Sequence, residues 1–181
     1  MFYFGRGNWG GSVNSEQKAI VWRGLLESDQ AARYWRAKAL AYIRNEKKGK
    51  IILAIMSAAT VVLWRFYPQE QWLWQASSIF SALIAAALPI LDLPRHAESM
   101  IELNESWTQQ MNDYEELWSM RATEDDAVVK EKLRLLKAKE VPLAKKSAKL
   151  PNDDEKLGKK TYYQVLEGRG IESHSEQGAT T

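Results

Sequence analysis

Side chains able to do chemistry are few in this chain and widely spaced. Its two histidines are His96 and His174, and His96 stands close to Asp92 and Glu98. That grouping could suggest a metal or proton site. Three polar residues at the end of an apolar run are more commonly just solvated. The carboxylate pairs Asp125–Asp126 and Asp153–Asp154 fall in turn-like stretches. The glycine-rich segments GRGNWGG and GRG lack both the strand-to-helix setting and the Lys-Ser/Thr ending of a phosphate-cradling loop. No cysteine is present, which excludes disulfides and cysteine-ligated metals. The residues define no catalytic, cofactor or metal constellation, and the expectation is a protein that is not an enzyme.

A different kind of chemistry is written into the longest apolar run. Ser77, Ser81 and Ala85 lie four apart, as do Ser78, Ala82 and Ala86. Small residues at that spacing let helices approach closely in a membrane. One such stripe suffices for two spans packed on each other, and the second leaves a face for another subunit. Gln75 joins Ser78 and Ala82 on nearly one face, with Asp92 at its inner end. In an oligomer that face could line a pore, since hydroxyls and an amide tolerate water and a carboxylate ring favours cations. Packing is the plainer role for any one of these serines.

The elements that must carry those residues are two apolar runs. No charged residue occurs from Ile51 to Trp64 or from Gln71 to Leu91. As a helix the second run is ~31 Å long, enough for a bilayer core of ~30 Å; the first is shorter, ~21 Å. Extending the first through Tyr67 brings it to the lower edge of the spanning range. Lys47, Lys48 and Lys50 precede it, while Trp64, Arg65, Phe66, Tyr67, Trp72 and Trp74 cluster around the turn. Aromatic rings favour a membrane interface, and basic side chains at helix ends reach the headgroups. The competing reading is a helical hairpin buried in a soluble core.

Net charge is +2, too small to imply nucleic acid, but its distribution is informative. Seven Lys or Arg fall between Arg33 and Lys50, whereas the turn between the runs carries Arg65 against Glu70. The excess of basic residues places that flank in the cytoplasm. Two spans then return the C-terminus to the same side, giving a multi-pass protein of the inner (plasma) membrane. The opening MFYFGRGNWGGS lacks the apolar core of a secretory signal, so insertion is expected to use the first span.

Around the hairpin the pattern is helical. Val21, Leu25, Ser28, Ala32, Trp35, Ala39 and Tyr42 form a coiled-coil-like heptad seam. Met100, Leu103, Trp107, Met111, Tyr114 and Trp118 form a matching stripe. An antiparallel cytoplasmic pair, packed through Trp35, Tyr42, Trp107, Met111, Tyr114 and Trp118, is the simplest arrangement. Val129, Leu133 and Leu136 continue a shorter stripe among lysines, and Pro142 should end that helix. Pro89 and Pro94 predict a kink or break after the second span.

The succession of a helix carrying YWRAKALAYIRNEKKGK, a tight two-span hairpin and a long following helix resembles the SLATT family of bacterial two-transmembrane effector domains. The resemblance covers about 15–136 and rests on architecture and on the stretch Tyr34–Arg44. It implies a membrane pore that arrests an infected cell once a linked sensor fires. No sensor or enzyme domain is recognisable in this chain, so a trigger would come from a separate sensor protein or a nucleotide-signalling system.

The expected organisation is all-α: a two-span transmembrane helical hairpin flanked by amphipathic cytoplasmic helices. A flexible arm occupies 1–14 and a cytoplasmic amphipathic helix 15–48. The transmembrane hairpin follows at 49–94, with spans at about 50–67 and 71–91. Cytoplasmic helices fill 95–141, and a largely disordered basic and polar tail 142–181. The expected function is an oligomeric, pore-forming or membrane-perturbing effector in anti-phage defence, with the lipid bilayer and further copies of itself as partners. The alternative is a non-conducting anchor that presents a helical platform to a soluble partner.

Overall fold

The computed structural model describes residues 15–66, 69, 71–120 and 125–171, without the side chains of Leu63, Trp74 and Leu88. Among these the structure is helical, with no strand: α1 (Ser15–Phe66), α2 (Gln71–Leu91), α3 (Leu93–Met120), α4 (Asp126–Ser147) and α5 (Glu155–Gly168). The arm at 1–14, Tyr67, the Trp74 side chain and the tail from 172 lie outside the described residues.

The chain forms two compact units, divided between Tyr34 and Trp35 within α1 and between Glu102 and Leu103 within α3. In the first unit, the start of α1 and the end of α3 run antiparallel. Asn104 donates its amide to the Ala32 carbonyl at 2.8 Å. Further along, the Tyr114 ring lies on Gly24, and the Trp22 and Trp118 rings meet at a tilt of 41° with centroids 5.0 Å apart. A Cβ at position 24 would collide with that ring, so the close approach requires glycine.

α4 closes this layer. Val129, Leu133 and Leu136 are buried against Val21, Leu25, Tyr114 and Leu117. Burying each such aliphatic side chain contributes roughly 1.5–3 kcal/mol. The stripe on α3 is rotated from the expected one: Gln110 and Leu117 are buried, while Met111 and Trp118 are only partly so. Gln110 is admitted because its amide donates to the Leu136 carbonyl at 2.8 Å, satisfying both groups away from water.

Pro142 does not end α4, which continues to Ser147. The carbonyl that loses its partner is that of Ala138, four residues back, and both residues sit on the exposed side, where water can serve it. The expectation of a largely disordered tail from 142 is corrected further by α5. Asp154 caps this helix by accepting from the Leu157 N–H at 3.0 Å, and Thr161 and Val165 are buried.

Arg169 then ties the end of α5 down. It pairs with Asp29 at 3.3 Å and with Glu115 at 2.7 Å. Asp29 is itself buried and also holds Arg33 at 2.6 Å. Burial acts against the Arg169 cation, but Glu115 and Asp29 outweigh it and push the guanidinium above its ordinary range.

In the second unit, Trp35 and Ala39 of α1 and Ala97 and Met100 of α3 are buried. The Tyr42 and His96 rings lie 6.1 Å apart. α1 passes unbroken through Gly49, so the boundary expected at 48/49 is not an element boundary. α2 likewise continues through Pro89. The break falls at Asp92, whose φ of 42° places a non-glycine residue in the left-handed region. Pro94 then occupies the first turn of α3, where its missing N–H costs nothing.

Candidate functional site in the apolar hairpin

α1 from Ile51 and the whole of α2 form the hairpin. Each contains a stretch long and apolar enough to cross a membrane, and none of either stretch is buried. Ile55, Val61, Trp64 and Phe66 of α1 are 62–71% exposed, and Trp72, Ile79, Phe80, Leu83 and Ile90 of α2 are 61–82% exposed. The core helix of a soluble protein would cover such residues.

Contact between the two helices is narrow. On α2 the half-buried positions are Leu73, Ser77, Ser81 and Ile84; on α1 they are Leu53, Met56, Ala59 and Thr60. The Thr60 and Ser77 hydroxyls meet at 2.7 Å, and Thr60 also donates to the Met56 carbonyl at 2.9 Å. Ser81 is held in the same seam, its Oγ enclosed without a partner. The structure thereby separates the two stripes of small residues. Ser77 and Ser81 lie between the helices, whereas Gln75, Ser78, Ala82 and Ala85 are exposed. Ala85 does not follow Ser77 and Ser81 inward; Ile84 takes that place.

At about 100° per residue, Gln75, Ser78, Ala82 and Ala86 fall on the side of α2 opposite the seam. Trp72, Ile79, Leu83 and Ile90 occupy an adjoining arc. The exposed surface of α2 therefore has a bulky apolar side and a small, partly polar side.

Asp92 marks the end of this surface. Its carboxylate lies 3.8 Å from the Arg95 guanidinium, so a ring of Asp92 side chains would carry compensating cations with it. His96 is turned inward along its own helix, its Nδ1–H donating to the Asp92 carbonyl at 2.9 Å, while Glu98 is exposed. At the other end, Trp64, Arg65 and Trp72 are exposed around the turn.

The helix-packing residues lie outside this site. Trp35 is fully packed and Tyr42 half-buried. Trp107 donates its ring N–H to the Ser147 hydroxyl at 3.3 Å, and Tyr114 donates to Glu140 at 2.7 Å. Burial, reinforced by the Glu140 carboxylate, pushes the Tyr114 phenol well above its ordinary value of 10.0. At Asp113 burial acts upward, but hydrogen bonds from Lys139 and Gln109 outweigh it and hold the carboxyl below its usual range.

Comparison with protein families, curated proteins and solved structures finds no match.

Proposed function

We propose that this chain is a two-span effector of the bacterial inner membrane, with both termini cytoplasmic, that oligomerises and forms a pore or perturbs the bilayer. The observation that carries this reading is the sorting of exposed surface on α2. A bulky apolar arc suits lipid, and a small, partly polar arc (Gln75, Ser78, Ala82, Ala85) suits neighbouring subunits or water. Exposed tryptophans and Arg65 at the turn fit the interfacial belt such a hairpin would need.

The resemblance to SLATT effectors supports placing the activity in anti-phage defence, under a separate sensor protein or a nucleotide signal. Regulation would act on the helices that flank the hairpin.

The test is membrane potential, followed with a voltage-sensitive dye in bacteria induced to express the chain. Depolarisation ahead of growth arrest is expected, and it should vanish on deletion of 50–91 or on Ser78→Leu. If the potential holds at confirmed membrane expression, even with the cognate sensor and its signal co-supplied, the pore reading fails. A non-conducting anchor for a soluble partner then takes its place.

A further inference from the structure

α5 is fastened on one side and exposed on the other. Its inner face buries Thr161 and Val165, Arg169 is spent on Asp29 and Glu115, and the Gly158 carbonyl accepts from Gln30 at 3.3 Å. The opposite face presents Lys156, Lys159, Lys160 and Tyr163, all exposed. The lysines precede Tyr163 by seven, four and three residues, so on a helix all three surround its ring. Tyr162 stands beside it, the two rings meeting edge-on with centroids 5.8 Å apart.

Several carboxylates of this unit are paired within it. Asp29, Asp113, Glu115, Glu131 and Glu140 all have cationic or phenolic partners within the chain. Among the described residues no ion pair holds Lys156, Lys159 or Lys160, and the exposed Glu167, four residues after Tyr163, shares their face. Three ammonium groups against the one carboxylate of Glu167 leave the surroundings of this amphipathic ring net positive, which matches a surface of phosphates lying over an apolar layer. Lysine supplies the charge there, and tyrosine sits at the boundary.

We propose that this outward face of α5 docks on anionic lipid headgroups. The inference rests on the membrane reading above, because a chain anchored by its hairpin meets the bilayer as its nearest polyanion. Nucleic acid shares the phosphate chemistry, and the measurement below separates it from lipid.

The absence of cysteine allows a single-site measurement. Glu167→Cys, on the same exposed face, would be introduced into the full chain. The chain would be held in nanodiscs of phosphatidylcholine alone or of phosphatidylcholine with phosphatidylglycerol. The labelling rate of the thiol by a charged maleimide is then compared. About a tenfold slower rate is expected in the anionic discs. The difference should disappear in Lys156→Gln/Lys159→Gln/Lys160→Gln, whose helicity by circular dichroism confirms its fold.

Equal rates in the two lipids overturn the proposal, as does a difference that survives the triple substitution. Slowing by an added RNA oligonucleotide but not by anionic lipid would assign the face to nucleic acid instead. Failure of the chain to remain in either disc would count against the membrane reading itself and is seen separately.

Discussion

The hydroxyls of Thr60 and Ser77 meet at 2.7 Å and form a polar join between α1 and α2 of the hairpin. Around them the seam is built of small and aliphatic side chains, so the register of the two helices rests on this pair and on Ser81.

Replacing both hydroxyls by thiols tests the register directly. Thr60→Cys/Ser77→Cys should oxidise to an internal disulfide, read as loss of two titratable thiols. Thr60→Cys/Ser78→Cys should keep its thiols, because Ser78 is on the exposed side. The reverse result would place the other stripe of small residues in the seam.

Ser81→Leu and Ser78→Leu should therefore differ in kind. Leucine at 81 overpacks a filled seam, at a cost of about 1–3 kcal/mol, and should lower the yield of folded protein extracted in mild detergent. Leucine at 78 adds an exposed apolar group and should leave that yield unchanged.

Gly24→Ala should destabilise the first unit by about 1–3 kcal/mol, because the new methyl group meets the Tyr114 ring rather than open space. A fall in the denaturation midpoint checks this. Gly158→Ala, where nothing lies within 4 Å of the added carbon, should be neutral or slightly stabilising.

Alkali should loosen the same unit. The Tyr114 phenol titrates higher in the folded chain than the ordinary 10.0, so folding favours its neutral form. That stabilisation is fully present below about pH 10 and is lost as pH rises through the folded-state value. Tyr114→Phe should be less stable at pH 7, by about 1 kcal/mol for the lost hydrogen bond to Glu140, yet less sensitive above pH 10. Parallel denaturation curves at the two pH values decide it.

The hairpin and the seam on α1 were legible because uncharged length and a 3–4 spacing are local signals. The spacing also revealed two small-residue stripes on α2, but not which faced α1: Ser77 and Ser78 differ in the partner they meet, not in type. Gln110 falls outside the predicted stripe, since its place depends on a carbonyl 26 residues away. α5 was missed for the same reason on a larger scale. Its sequence offers one short apolar island, and it is fastened by Arg169 to an aspartate 140 residues earlier. Pro142 predicts a stop because sequence does not reveal that the unpaired carbonyl faces water.

The meeting of Gly24 with Tyr114 also bears on how the chain can change over generations. A larger residue at 24 is admissible only after the ring at 114 has been lost, and losing the ring first abandons Glu140 as well. The two positions are expected to vary together or not at all. Among relatives, a bulky side chain at 24 should accompany a small one at 114, a covariation between sites ninety residues apart.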